Sequence, residues 1–279
     1  MTRLGRGLII TADDFGLHPS INAAVERAFH DGVLNAASLM VAAPAAAEAI
    51  AAAHRCPGLR VGLHLVLADG QAMLPRAAIP DLVDVHGRFG EHMARDGARF
   101  FFLPRVRRQL ADEIRAQFKA FAASGLQLDH VNTHKHFHLH PTVLALMLAI
   151  GREFGLRAVR LPREHGMPLL LRPWLWLLRR KLAAAGIAHN DCMVGIRHSG
   201  KFDEAALLAA LADLPPQGIV EFYLHPALIS GAEIGGSMPA YRHADEFAAL
   251  VSPRVRLAVE QLKLQGFCLG GFSDLCGIR

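Results

Sequence analysis

The sequence predicts an α/β chain whose β-α units wrap into a single-domain, β/α-barrel-like fold. Three observations carry that expectation. Short apolar runs alternate with helical stretches, as in consecutive β-α units around a parallel sheet. Ionisable residues recur at or near the C-terminal ends of the predicted strands (Asp13/Asp14, His64, His134, Arg160 and His225), and β/α barrels gather their active sites at that face. The 279 residues are 52% apolar and 20% charged, enough for a sizeable core, and residues 1–279 read as one domain without repeats or low-complexity linkers.

Gly7 to Ala12 reads as the first strand. Pro19 to Gly32 reads as the first helix, with proline at its opening and glycine at its close. Ala36 to Ala42 is a second strand, Ala45 to His54 an alanine-rich helix, and Arg60 to Val66 a third strand carrying His64. Residues 67–98 are rich in Gly, Pro and Asp without long periodicity, so they read as a functional loop over the site. Pro104 to Ser124 places Val106, Leu110, Ile114, Phe118 and Phe121 on one helical stripe. Leu126 to Thr133 reads as the next strand, running into a histidine cluster, and a helix follows from Pro141 to Phe154. Ala158 to Leu161, Ile219 to Tyr223 and Gly266 to Leu269 read as later strands.

The net charge of +5 fits an anionic partner, but the basic residues lie mainly in Arg99 to Lys119 and Arg172 to Lys181. Each stretch also reads as a solvated helix face, and no nucleic-acid-binding motif accompanies it. Cys56, Cys192, Cys268 and Cys276 are scattered, which favours a reducing compartment over a disulfide framework. Gly7 to Ala12 is too short for a signal-peptide core. The longest apolar stretch, Met167 to Leu178, is broken by Arg172 and Pro173 and cannot span a bilayer. A cytoplasmic protein is expected.

Two adjacent carboxylates, Asp13 and Asp14, end the first strand. Neighbouring strand residues point to opposite sides, so one can ligate a metal while the other acts as a base. A helix N-cap needs one aspartate and leaves the second unexplained. His64 is a lone histidine in an aliphatic strand and gains weight only from its company. Five of the 16 histidines (His130, His134, His136, His138 and His140) fall at even positions within eleven residues. On an extended strand all five would share one face and several could converge on one ion. The alternative is a surface histidine tract with adventitious metal affinity. His225, before Pro226, suits a general acid near neutral pH. Arg160 can bind a carboxylate or a substrate oxygen, or make a structural ion pair, and Asp274 has similar standing.

In order along the chain, ADDFG (Ala12–Gly16), GLHL (Gly62–Leu65), THKHFH (Thr133–His138) and EFYLHP (Glu221–Pro226) resemble the motifs of the YdjC-like, ChbG-type carbohydrate deacetylases. The resemblance implies an irregular TIM-like barrel of the glycoside hydrolase/deacetylase type. It also implies removal of N-acetyl groups from amino sugars with a divalent metal held by Asp14, His64 and His134. Asp13 would be the catalytic base and His225 the acid, with His136 and His138 lining the sugar pocket or standing behind it. Asn132 stands where the family often has Asp. Two imidazole ligands suggest zinc, whereas the resemblance suggests magnesium. THKHFHLHP and LPRE look most like the hopanoid-biosynthesis branch, HpnK, which implies an N-acetylglucosaminyl hopanoid substrate. Trp174 and Trp176 beside Arg172, Arg179, Arg180 and Lys181 suit an interfacial segment at the inner membrane, or else a buried helix with a solvated basic end. Another amide or phosphoester hydrolase on the same scaffold, a non-catalytic histidine-rich metal-binding protein and a lipid-surface module are the competing readings.

Overall fold

The computed structural model describes residues 5–229, 234 and 238–277. Every strand pairing between its named strands is parallel, as expected for β-α units. The order follows from the chain: β1 (Arg6–Phe15) lies between β2 (Ala36–Leu39) and β6 (Gly218–Leu224). On one side β3 (Arg60–Leu65) and β4 (Val131–Thr133) continue the sheet, and on the other β5 (Cys192–Val194) pairs with β6. The isolated parallel bridges Val131–Val159 and Ala158–Ala188 carry the pairing round from β4 towards β5, giving the barrel-like curl. A short β7 (Cys268–Leu269) pairs with the start of β1.

Helices cover the outside. Apolar periodicity places α1 (Pro19–Asp31), α2 (Ala46–Arg55), α4 (Pro104–Ala123) and α5 (Pro141–Gly151) close to their expected bounds. On α4, Val106, Leu110, Ile114, Phe118 and Phe121 are all buried in the core. The same helix buries a polar row four residues apart. Gln109 accepts from the Asp81 amide, Glu113 accepts from the Met73 and Leu74 amides, and Gln117 brackets the backbone of Val66. These bonds satisfy backbone groups that a loop would otherwise leave without partners, and they hold the 67–98 segment on the barrel. That segment is not wholly irregular: α3 (Met93–Phe102) begins inside it.

Further α-helices with described bounds are α6 (Arg172–Ala184), α7 (Glu204–Ala212), α8 (His243–Val251), α9 (Pro253–Leu264) and the four-residue α10 (Phe272–Leu275). Among the described residues no helix is long and apolar enough to cross a membrane.

Two expectations fail. Ala158 to Leu161 forms no full strand and pairs only through the isolated bridges at Ala158 and Val159. The strand before the histidine cluster is only Val131–Thr133, and His134–Leu139 forms a tight 3₁₀ turn in which Lys135 and His136 both adopt φ +54°. Left-handed residues break the two-residue alternation, so the five histidines share no face.

Candidate metal centre

Two backbone irregularities build the site. The register of β1 against β2 shifts between Ala12 and Phe15, and Asp14 adopts φ +61°. A non-glycine residue in that region is strained and persists where the surroundings fix it. Its effect here is to turn Asp14 inward at the strand end. Neither aspartate caps α1, because His18 Nδ1 accepts the Ser20 amide there. The second irregularity is the turn that starts at His134.

Asp14 Oδ1 lies 3.3 Å from His64 Nε2 and 3.1 Å from His134 Nδ1. All three side chains are buried, and one donor atom from each lies within 4.8 Å of the others. Asp14 Oδ2 is buried without a hydrogen-bond partner among the described residues. Burial opposes charge on Asp14, yet His134 and His64 hold its carboxyl well below the usual range. Burial likewise opposes charge on His64, but Asp13 and Asp14 raise it overall. An orphaned carboxylate oxygen with two imidazole nitrogens converging on its partner fits a divalent cation, with positions left open for water or substrate. Among the described residues the other cluster of that kind, Glu26, His30 and Cys56, has its carboxylate taken by Arg55 at 2.7 and 2.8 Å.

Asp13 faces a different set. Arg160 donates to both of its oxygens, at 2.5 and 2.9 Å, and also to Glu221 Oε1, which Thr11 Oγ1 reaches at 2.9 Å. Burial alone would raise Asp13, but the Arg160 guanidinium outweighs it and keeps the carboxylate ionised. Asn132 Nδ2 approaches Asp13 Oδ1 at 3.3 Å, while Asn132 Oδ1 accepts from His64 Nδ1 at 2.6 Å.

His225, at the end of β6, is buried beside Tyr223 and Tyr241, and its Nδ1 lacks a hydrogen-bond partner among the described residues. Burial pushes it down to about 4 against the pull of Asp14 and Asp13. Its backbone is pinned on both sides: Glu246 accepts from its amide, and His243 donates to its carbonyl. Glu246 Oε2 lies 3.9 Å from His225 Nδ1, and burial pushes Glu246 up to about 7.

Other candidates fall elsewhere. Arg160 is fully buried and engaged by Asp13 and Glu221, so it stands behind the site and does not line a pocket. His138 is also withdrawn: Thr133 Oγ1 and the Arg160 carbonyl take its two ring nitrogens at 2.8 and 3.0 Å, and burial pushes it down to about 3. His136 stays partly exposed against Tyr223, its Nδ1 without a hydrogen-bond partner among the described residues. His140 packs by Phe100 and Phe137, and His130 lies under Phe272. Asp274 pairs with Arg60 at 2.7 and 2.8 Å, away from the centre. Glu221 and Glu246 were not singled out from the sequence. An acid inside the apolar strand Gly218–Leu224 was a legible signal, whereas Glu246 on an ordinary helix gave none.

A family model described as "YdjC-like protein" matches residues 7–261. A carbohydrate deacetylase of Brevibacillus brevis is 30% identical over 271 residues, covering 96% of this chain and 99% of that protein. A chitooligosaccharide deacetylase of Serratia marcescens is 32% identical over 272 residues, covering 96% and 98%. Among solved structures, a putative cellobiose-phosphate cleavage protein from Enterococcus faecalis superposes with a TM-score of 0.77 at 25% identity, covering 97% of this chain and 99% of that one.

Proposed function

The chain belongs to the YdjC-like protein family, and from that premise we propose that it is a metal-dependent carbohydrate deacetylase hydrolysing the N-acetyl group of an N-acetylglucosamine-type amino sugar. The observation that carries the reading is the buried convergence of Asp14, His64 and His134 beside a second, separately held carboxylate, Asp13. Asp14, His64 and His134 hold the cation, magnesium on the family likeness and zinc as the alternative that two imidazoles favour. When bound, the metal supplies Lewis-acid polarisation of the acetamide and a lowered pKa for water.

Asp13 takes a proton from the attacking water. Arg160 keeps it ionised for that task and fixes its plane by the two-oxygen contact. His225 delivers a proton to the departing amine. With its value near 4 it rests neutral at pH 7, so it is charged only as negative charge grows on the acetamide oxygen. Glu246, whose carboxyl burial pushes up to about 7, stands 3.9 Å from His225 Nδ1 and holds the His225 backbone in place through its amide. His136, at the partly exposed edge, is the histidine of the turn left to meet the sugar.

One surface feature favours a lipid-linked sugar such as an N-acetylglucosaminyl hopanoid, with peripheral contact at the inner membrane. Leu170 is 92% exposed, flanked by Leu169 and Leu171 on the segment that enters α6, and Trp176 on α6 is 57% exposed beside Arg172, Arg179 and Arg180. Trp174 does not share that exposure; its Nε1 donates to the Leu139 carbonyl and ties α6 to the histidine turn.

The test is acetate release from N-acetylglucosamine compounds with and without a hopanoid aglycone, by wild type and His134→Ala, after chelation and readdition of magnesium or zinc. Metal-restored release that the variant lacks is expected, and faster release with the aglycone supports the lipid-linked substrate. Absence of release from every substrate by a protein that binds metal overturns the reaction.

A further inference from the structure

His64 Nδ1 meets Asn132 Oδ1, but this contact is only the first link of a longer chain. Asn132 Nδ2 donates to Ser38 Oγ at 2.9 Å, Ser38 Oγ meets His130 Nε2 at 3.1 Å, and His130 Nδ1 meets Asp129 Oδ2 at 2.9 Å. The five side chains come from β2, β3, β4 and the two residues just before β4, and each is at most 4% exposed. Asp129 in turn accepts from the Phe272 amide, the Ser273 amide and Ser273 Oγ at the start of α10. The row thus runs through the barrel from the metal centre to α10.

Donor and acceptor chemistry assigns one consistent direction to the protons of this row. Asp129 faces three donors with its two oxygens, the environment of a carboxylate, so His130 Nδ1 must donate to it. With the ring proton on Nδ1, the His130 Nε2 lone pair accepts the Ser38 hydroxyl proton, and Ser38 Oγ offers its own lone pairs to Asn132 Nδ2. That contact, the shorter of the two made by Nδ2 (the other is to Asp13 Oδ1 at 3.3 Å), fixes the Asn132 amide, whose orientation an isolated asparagine would leave open. Its oxygen is therefore turned to His64, where it can only accept. His64 must carry its proton on Nδ1, and Nε2, facing Asp14, is left with its lone pair.

We propose that Asp129, His130 and Ser38 are positioning residues for the metal centre: through Asn132 they hold His64 in the tautomer whose Nε2 can ligate. The proposal rests on the metal reading above and goes beyond it, because none of the three touches metal or substrate. Partners behind metal-ligating histidines act in this way in general, and their loss costs about 10- to 100-fold in metal affinity. The fold makes dedicated room for the row. A Cβ at Gly62 would lie 2.5–2.6 Å from three atoms of the His130 ring, so the glycine two residues before His64 serves as the bed for that ring. Phe272 packs against the ring at 4.8 Å between centroids.

The experiment measures zinc affinity by competition with a chromophoric chelator for wild type, Asp129→Asn, His130→Phe, Gly62→Ala, Asn132→Leu and Asn132→Asp. Proton–nitrogen NMR of the histidine rings in the zinc-loaded proteins accompanies it. Wild type should show His64 protonated at Nδ1. Asp129→Asn keeps size but lets the row reverse, so affinity should fall about 10- to 100-fold with His64 turning to the other tautomer. His130→Phe, Gly62→Ala and Asn132→Leu should weaken zinc in the same range. Asn132→Asp offers only acceptors to His64 and should keep its proton on Nδ1 in the zinc-loaded protein, unlike Asn132→Leu, which a merely space-filling Asn132 would not explain. Folded Asp129→Asn and Gly62→Ala proteins with zinc affinity within twofold of wild type and an unchanged His64 would overturn the relay alone. Failure of wild type to bind zinc or magnesium would overturn the metal reading and the relay with it.

Discussion

Arg160→Met isolates the arrangement that keeps Asp13 ionised. The guanidinium is fully buried and donates to both oxygens of Asp13 and to Glu221. Methionine occupies much of its volume but leaves two buried carboxylates without their cation. Removing one partner from a buried ion pair costs about 3–5 kcal/mol, a large part of the roughly 5–15 kcal/mol that holds a domain together. At roughly 2–4 °C per kcal/mol, the unfolding midpoint should drop by about 6–20 °C.

The loss should also depend on pH in a definite sense. In wild type Asp13 is held below its ordinary range, so its contribution is present above the unfolded value of about 3.9 and is lost as pH falls through the folded one. Without Arg160, burial pushes Asp13 upward, and a carboxylate raised in the folded state destabilises increasingly as pH rises past its unfolded value. The gap between the two proteins is therefore widest near pH 7.5 and narrows towards pH 4. Urea denaturation of both metal-free proteins at pH 7.5 and 5 measures it. A gap under about 1 kcal/mol, or one of equal size at both pH values, would refute the argument.

Three further outcomes are expected. Asp13→Asn should bind zinc or magnesium almost as wild type does while acetate release falls about 10²- to 10⁴-fold; undiminished release would remove Asp13 as the base. His225, pushed down to about 4, stays neutral in the folded protein, whereas the unfolded chain takes up a proton near 6.5, so its stabilisation is complete above about pH 6.5 and lost as pH falls towards 4. That loss is about 3 kcal/mol; His225→Gln should flatten the fall of stability across this window, and an equally steep fall would place its origin elsewhere. Leu170→Asp, on the exposed segment before α6, should slow release from a lipid-linked substrate several-fold and leave a soluble chitooligosaccharide unaffected, and equal effects on both would disconnect that surface from the substrate.

The parallel architecture was legible because β-α alternation and the α4 stripe are set by burial, the strongest local signal. The polar anchors of the 67–98 segment were not: Gln109, Glu113 and Gln117 lie four residues apart on α4 and read as a solvated row until their backbone partners at Asp81, Met73, Leu74 and Val66 are known. Arg160 shows a similar ambiguity. Its place at a strand end suited either a substrate contact or an ion pair, and only Glu221, 61 residues away, makes the ion pair the better account.

The histidine tract is the sharper case, since its even spacing was both the strongest signal and the one that misled. Alternation assigns faces only while the chain stays extended. Nothing in THKHFH announces that Lys135 and His136 adopt left-handed conformations, because neither is a glycine or an asparagine. Those two residues divide the tract into separate tasks. His134, before the turn, reaches Asp14; His136, on it, stays at the open edge; His138, after it, locks Thr133 to the Arg160 carbonyl. His130, four residues upstream, faces the opposite end of the barrel under Phe272. Had the strand run on through His140, Thr133 and Arg160 would not be joined through His138. The strain at Lys135 and His136 persists because both sides of the turn are held, by Lys135 pairing with Asp69 and by His138 in its buried seat.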